Sequence, residues 1–114
     1  MVYFQQLGNA ANRVRATETA FSHRGALCEW GCDAVWLDPT DDAANIRWAR
    51  QVAEAMRPFT SGSDYVNHIG LEAEEGTDRI KAAFGANYNR LVALKNRYDP
   101  TNLFRHNQNI KPTV

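Results

Sequence analysis

Tyr65 and Asn67 are the two side chains whose types and spacing most directly suggest chemistry. They flank Val66 in residues 65–70, a segment whose composition predicts a short strand. Because side chains alternate along a strand, both would lie on one face and could reach one ligand, while His68 would point to the opposite face. A phenol can act as a general acid or base, and an amide can hold a ligand. The same residues also suit an ordinary half-buried strand in which the hydroxyl is paired and the amide bonds to backbone.

A second group of amide side chains lies in the C-terminal tail, at Asn107, Gln108 and Asn109. Such a run can contact a ligand, or it can satisfy the hydrogen bonds of its own backbone. The residues alone leave both interpretations open.

The cysteines and histidines form no metal or nucleophile motif. Cys28 and Cys32 lie four residues apart in a predicted strand. At about 3.3 Å per residue their Cα atoms would be roughly 13 Å apart, which is too far for a disulfide. His23 precedes them, but His-x4-Cys-x3-Cys is not a usual zinc spacing. We therefore predict two reduced thiols and no metal site.

Composition and charge exclude several classes of protein. The chain has 114 residues with 13 Lys and Arg against 13 Asp and Glu, so its formal charge is zero. This balance excludes the dense basic surface of a general nucleic-acid binder. Three Trp, four Tyr and five Phe argue against a disordered chain. No apolar run approaches the roughly 20 residues that span a bilayer, and the first residues do not resemble a signal peptide, so we expect a cytoplasmic location by default.

Two further segments are predicted to be strands. Residues 2–7 carry β-branched and aromatic side chains and end at a Gly-Asn turn. Residues 26–37 alternate, so that one face carries Cys28, Trp30, Cys32, Ala34 and Trp36. Between them, residues 9–24 are predicted to form a loop in which Phe21 is an apolar anchor.

Three helices are predicted from apolar spacing and end signals. The first covers residues 40–56, with Thr40 as its N-cap and Pro58 closing it. The second covers residues 77–84 and is capped by Gly85. The third covers residues 87–98 and stops at Asp99-Pro100. Along it we expect a solvated Lys95 and three core residues at helical spacing: Leu91, Leu94 and Tyr98.

Together these segments predict one α+β domain over residues 1–114, with helices packed on one face of an antiparallel sheet and an extended C-terminal tail. A sheet with so few strands leaves open edges that invite partners. We therefore expect something else to cover it.

Several separate blocks resemble the C-terminal domain of the berberine bridge enzyme-like FAD-linked oxidases, and in particular its bacterial members. They are Tyr65-Val66-Asn67, then residues 83–95 (AFGANYNRLVALK), residues 98–105 (YDPTNLFR) and residues 107–112 (NQNIKP), together with residues 19–24 (TAFSHR), 45–50 (NIRWAR) and 57–59 (RPF). The resemblance covers nearly the whole chain. It is specific for the family and uninformative about the substrate.

The resemblance implies a role for each candidate residue. Tyr65 is expected to be catalytic and to take the hydroxyl proton of a substrate as hydride leaves for the flavin of FAD. Tyr65, Asn67 and Asn107 are expected to contact the flavin or the substrate. The implied reaction is oxidation of an alcohol, or of a C–N or C–C substrate, with reoxidation of the flavin by oxygen.

The family's FAD-binding domain and the first part of its substrate domain have no counterpart among these 114 residues. The resemblance therefore implies an incomplete sheet, one wall of a flavin site, and a need for an FAD-binding domain in cis or in trans. The expected partners are that domain, a small-molecule substrate and, through the open sheet, a second copy, with no nucleic acid and no membrane. Two alternatives stay open: a non-catalytic binding or self-association module, and an unrelated α+β fold.

Overall fold

The computed structural model describes residues 1–69 and 76–114, which form two compact units. The first unit consists of residues 1–8 and 26–62, and the second of residues 9–25 and 63–114. Every candidate site residue lies in the second unit.

The first unit contains an antiparallel strand pair, as the alternating segments predict. Strand β1 (Val2–Gln6) pairs with β2 (Cys28–Cys32), with Val2 opposite Cys32 and Gln6 opposite Cys28. Backbone hydrogen bonds continue the pair by one step at each end. Strand β2 covers only Cys28–Cys32 and is therefore shorter than the predicted strand over residues 26–37.

A tyrosine ring crosses this strand pair at a glycine. Tyr3 lies opposite Gly31, and a Cβ atom on Gly31 would stand 2.3 Å from the Cζ and Oη atoms of Tyr3. Desolvation of the ring raises the pKa of Tyr3 above its usual value, and the negative charges of Asp33 and Glu29 raise it further. Glycine at position 31 therefore leaves the space that the ring occupies.

Asp38 caps the segment that leads into the long helix of this unit. Its Oδ1 atom accepts hydrogen bonds from the backbone N–H of Thr40 at 2.9 Å and from the Thr40 hydroxyl at 2.8 Å. These bonds, the backbone one first, lower the pKa of Asp38. The prediction of Thr40 as the N-cap was wrong, because a 3-10 helix (Pro39–Asp41) precedes the α-helix.

Helix α2 (Asp42–Met56) follows, and a 3-10 turn (Arg57–Phe59) containing Pro58 ends it, as predicted. The helix contacts β2, and Trp36 donates its indole N–H to Asp42. No residue of α2 is fully buried, and Ile46 on its apolar stripe remains 41% exposed. Its apolar face is therefore only partly covered in this structure.

The second unit is helical and contains helices α1 (Ala10–Arg13), α3 (Gly76–Phe84) and α4 (Tyr88–Tyr98). The two longer helices were predicted, and Gly85 between them has φ +51°, as a helix cap requires. Ile69, Ile80 and Ala83 form the buried centre of the unit, and Val66, Phe84, Tyr88 and Ile110 pack around it. The loop prediction for residues 9–24 omitted the single turn of α1.

The predicted strand over residues 65–70 was wrong. Tyr65 has an extended backbone, but Val66–His68 forms a 3-10 helix that ends at the buried Ile69, and Gly70 lies outside the described residues. Side-chain interactions hold the two residues just before Tyr65. Ser63 Oγ donates to the Ala82 carbonyl at 3.0 Å, and Arg79 bonds Asp64 Oδ2 through Nε and Nη2 at 3.0 and 2.9 Å.

Asp99 terminates α4 and organises the turn after it. Its carboxylate accepts from the backbone N–H groups of Leu103 at 2.7 Å and Phe104 at 3.1 Å, and it pairs with Lys95. The Lys95 hydrogen bond is the largest of the interactions that lower the pKa of Asp99. Lys95 also donates to the Phe104 carbonyl, and its side chain is 12% exposed. The expectation of a solvated Lys95 was therefore wrong.

The core prediction along α4 was also partly wrong. Leu94 is 44% exposed and Tyr98 70% exposed, whereas Leu91 is half-buried. The helical spacing identified a continuous face, but this unit covers only part of it.

The tail after Pro100 has no regular secondary structure, as predicted. Asn96 fastens it to α4 by donating to the Thr113 hydroxyl at 2.9 Å and accepting from the Thr113 N–H at 2.8 Å. With an antiparallel strand pair, helices and this tail, the α+β class is confirmed. None of the helices described is both long enough and apolar enough to cross a membrane.

Candidate functional site

The structure brings Tyr65 and Asn67 together directly. The Nδ2 atom of Asn67 donates a hydrogen bond to Tyr65 Oη at 2.8 Å. Tyr65 is half-buried and Asn67 is exposed, so the pair lies at the surface of the unit. Their shared side was predicted from strand alternation, but here a 3-10 turn folds Asn67 back toward the phenol.

Two aromatic rings flank the ring of Tyr65. Phe21 meets it edge to face, with centroids 5.7 Å apart and planes at 86°. His68 meets it with centroids 5.4 Å apart and planes at 76°. The expectation that His68 points away from Tyr65 was wrong, because residues three apart in a 3-10 helix lie on the same side.

Hydrogen bonds within the second unit hold the segment that carries Phe21. Ser22 Oγ donates to the Ala83 carbonyl at 2.7 Å. Arg24 donates to the Ala11 carbonyl at 2.8 Å and to the Thr19 hydroxyl at 2.7 Å, and its guanidinium lies 4.9 Å from the centroid of Phe21. Phe21 was predicted to be an apolar anchor, and its contact with Tyr65 is the feature that sequence reasoning missed.

The tail approaches the same part of the unit through Gln108. Its Nε2 atom donates to the Ile69 carbonyl, one residue beyond the 3-10 turn. Asn107 is exposed, has φ +58°, and its carbonyl accepts from Asn109 N–H at 2.9 Å. No hydrogen bond joins Asn107 to Tyr65 or Asn67 within the ranges that the structure covers. Gln108, which was not assigned a role, is therefore the amide that ties the tail to this turn.

The remaining titratable candidates show no such grouping. Across residues 1–69 and 76–114, no set of three or more His, Cys, Asp or Glu side chains is placed to hold a metal ion. Cys28 is exposed, Cys32 is half-buried, and both are free thiols. His23 packs against Phe21 with centroids 5.5 Å apart, and its Nε2 atom is buried without a hydrogen-bond partner.

Chemically, the site is a phenol supported by an amide and two flat rings. Tyr65 Oη has one O–H and two lone pairs, and Asn67 occupies one lone pair. The amide keeps a second N–H and its carbonyl oxygen for another partner. The site therefore offers neutral hydrogen-bonding groups suited to an uncharged polar ligand.

Comparison with known proteins confirms the resemblance. Residues 64–111 match the family model described as berberine and berberine like, and this segment contains Tyr65, Asn67 and Asn107. This segment of the chain is thus similar to a berberine bridge enzyme-like domain. A structure of a berberine bridge enzyme variant superposes on 99% of this chain with a TM-score of 0.80 at 24% identity, which supports the α+β fold.

Two of the bacterial relatives are FAD-linked oxidoreductases by name. An uncharacterized FAD-linked oxidoreductase of Bacillus subtilis, YgaK, is 35% identical over 97% of this chain. Berberine bridge enzyme-like C-1 of Nicotiana tabacum is 31% identical, also over 97% of this chain. The chain spans 24% and 25% of the lengths of these two relatives and 27% of the chain in the solved structure. It corresponds to about a quarter of such a protein.

Proposed function

We propose that residues 1–114 form one C-terminal domain of an FAD-dependent oxidoreductase and supply one wall of its flavin and substrate site. The observation that carries the proposal is the 2.8 Å hydrogen bond between Asn67 and Tyr65, inside the segment that matches the family. The names of the relatives support FAD as the cofactor. The chain's small share of their length supports an FAD-binding domain, in cis or in trans, as the necessary partner.

The residues present fit a flavin by their chemistry. A flavin ring carries carbonyl oxygens and nitrogens along its edges, and these pair with neutral amide and hydroxyl groups. Asn67 and Asn107 are exposed and offer such amides, and Tyr65 offers the hydroxyl. These three residues would hold the ring and the substrate against it. When bound, FAD supplies the acceptor for the hydride that leaves the substrate carbon.

Tyr65 is the proposed general base for a small-molecule alcohol. In its ionised form, Tyr65 Oη takes the hydroxyl proton of the substrate and becomes a phenol, while the substrate oxygen forms a carbonyl as the C–H bond breaks. Asn67 keeps a free N–H and carbonyl oxygen with which to orient the substrate or the flavin. Asn107 contributes a contact from the tail, whose position Gln108 fixes through the Ile69 carbonyl.

The cofactor requirement can be tested with the chain alone and with a complete protein that contains it. We expect the complete protein to be yellow with one bound FAD, and to show oxygen uptake with an alcohol substrate. The isolated chain should stay colourless after incubation with FAD and dialysis. A complete protein without flavin would contradict the proposal, and an isolated chain that binds FAD at micromolar concentration would contradict the need for a second domain.

Self-association is the second proposed property of the isolated chain. Its apolar side chains are widely exposed, including Leu27 at 83%, Val35 at 88% and Leu37 at 98%. Large exposed apolar areas mark interaction surfaces. Sedimentation of the isolated chain should show dimers or larger species, and a strictly monomeric chain at high concentration would contradict this.

A further inference from the structure

We propose that Asn67 is the positioning residue of Tyr65: its amide N–H holds the phenol oxygen so that the other side of Oη, where a substrate proton can bind, faces the substrate. This inference deepens the proposed function and rests on it. The motivating contact is the Nδ2–Oη hydrogen bond of 2.8 Å. Through this bond Asn67 positions another side chain of the protein, separately from any contact with a ligand.

The ring of Tyr65 has its orientation fixed from two sides. Phe21 and His68 both meet it edge to face, at centroid distances of 5.7 and 5.4 Å. Edge-to-face pairs favour a defined angle between rings, so the two contacts oppose rotation of the phenol. With the ring fixed, the position of Oη is set, and the direction of the O–H bond is the remaining freedom.

Asn67 removes that freedom. A phenol oxygen has one proton and two lone pairs, and a donor on one lone pair directs the O–H bond away from itself. Because the Asn67 amide is that donor, the side of Oη away from Asn67 is left for another partner, and this is the side on which the ionised oxygen accepts a substrate proton.

The backbone around Asn67 holds the hydrogen bond between Asn67 and Tyr65 in place. Asn67 lies in the middle of the 3-10 turn Val66–His68. The turn is held before by the Arg79–Asp64 pair and after by the buried Ile69. Asn67 and Tyr65 therefore keep their relative position without help from a bound ligand.

The test uses two substitutions of Asn67 in the complete flavoprotein. Asn67→Asp is nearly isosteric but has no N–H to donate, and Asn67→Leu removes the donor without adding charge. Each should slow substrate-dependent flavin reduction by about 10- to 100-fold, the order of loss that misplacement of a reacting group causes. Asn89→Asp, at an exposed position of α4, is the control and should leave the rate unchanged.

A double-substitution cycle separates positioning from a general structural role. In the background of Tyr65→Phe there is no phenol oxygen to position, so adding Asn67→Leu should change the rate by less than about twofold. An equal loss in both backgrounds would overturn the inference. If Tyr65→Phe alone has no effect, the proposed base is wrong, and the spectroscopic test below still decides whether Asn67 holds the phenol.

That second readout is independent of turnover. In protein labelled with 13C at the ζ carbon of tyrosine, the Tyr65 resonance is identified by its loss in Tyr65→Phe. It should shift in both Asn67→Asp and Asn67→Leu, and stay in place in Asn89→Asp. An unchanged Tyr65 resonance in Asn67→Leu would show that the amide does not donate to the phenol, and full activity in Asn67→Asp would show that this donation does not position the base.

Discussion

At the scale of single residues, contacts with neighbouring side chains determine the position and orientation of Tyr65. Asn67 bonds its oxygen, while Phe21 and His68 fix its ring. Two of these partners come from the same short turn, and Phe21 comes from a distant part of the sequence. The proposed chemistry therefore depends on the loop that carries Phe21 as well as on the turn itself.

Phe21→Leu should lower the free energy of unfolding by roughly 1–2 kcal/mol, because it removes the edge-to-face contact with Tyr65 and part of the buried ring area. Chemical denaturation measures this directly. Phe104→Leu is the matched control, since Phe104 is 77% exposed, and it should change stability by less than about 0.5 kcal/mol. Equal effects of the two substitutions would contradict the role given to Phe21.

The sequence allowed part of this residue-scale arrangement to be predicted. Tyr65 and Asn67 were expected on one side, and they are, although a 3-10 turn rather than a strand places them there. His68 was placed on the wrong side by the same strand assumption. The Phe21 contact had no local signal, because it depends on how residues 9–25 fold against residues 63–114.

At the scale of elements, the junction between α3 and α4 depends on one glycine. Gly85 has φ +51°, and a Cβ atom there would meet Ser22 Cβ no closer than 3.8 Å. Space is therefore available, and the backbone conformation is the constraint. The positive φ of Gly85 lets the chain leave α3 and start α4 within three residues.

Gly85→Ala should consequently destabilise the protein by about 1–2 kcal/mol, the cost of a left-handed backbone for a residue with a Cβ atom. Thermal or chemical unfolding measures the change. Gly25→Ala serves as the control, because Gly25 has an ordinary φ and no atom within 4 Å of a built Cβ. A Gly85→Ala protein as stable as the Gly25→Ala protein would contradict this account of the junction.

Asp99 makes the end of α4 sensitive to acid. Its pKa is lowered in the folded state, chiefly by the Lys95 hydrogen bond, so its ionised form favours folding. That contribution is complete above the ordinary aspartate pKa near 3.9 and is lost as the pH falls through the lower folded value.

Asp99→Asn should therefore be less stable than the unaltered protein at pH 7 and lose less stability on acidification below about pH 5. Denaturant midpoints measured across this pH range test the slope. Asp78→Asn, at an exposed carboxylate in α3, should keep the original slope. An unchanged slope in Asp99→Asn would contradict the role of this carboxylate.

Element type was predictable where local signals were strong. Both strands, α2, α3 and α4 follow from alternation, apolar spacing and the proline and glycine signals at their ends. The turn at Val66–His68 was not predictable in this way, since its residues have β propensity and the tethers from Ala82 and Arg79 override it. The pairing of Lys95 with Asp99 was likewise hidden, because a lysine at that spacing usually faces solvent.

At the scale of the whole molecule, the exposed apolar side chains are consistent with a domain that belongs to a longer protein. Leu94, Tyr98, Leu103 and Phe104 are between 44% and 77% exposed around the end of α4. The spacing that predicted core positions at Leu94 and Tyr98 describes a face that this unit does not cover. The chain spans only about a quarter of the length of its relatives, and this explains why the apolar face around the end of α4 is left uncovered.

The most direct test of the central claim is the rate of substrate-dependent flavin reduction after Tyr65→Phe in the complete protein. The account predicts a rate lower by about 100-fold or more with FAD content unchanged, because the general base is lost while the hydrogen-bonding surface remains. Tyr98→Phe, at a tyrosine 70% exposed on α4, should reduce flavin at the original rate. An unchanged rate in Tyr65→Phe would contradict the claim that this chain supplies the base of a flavin site.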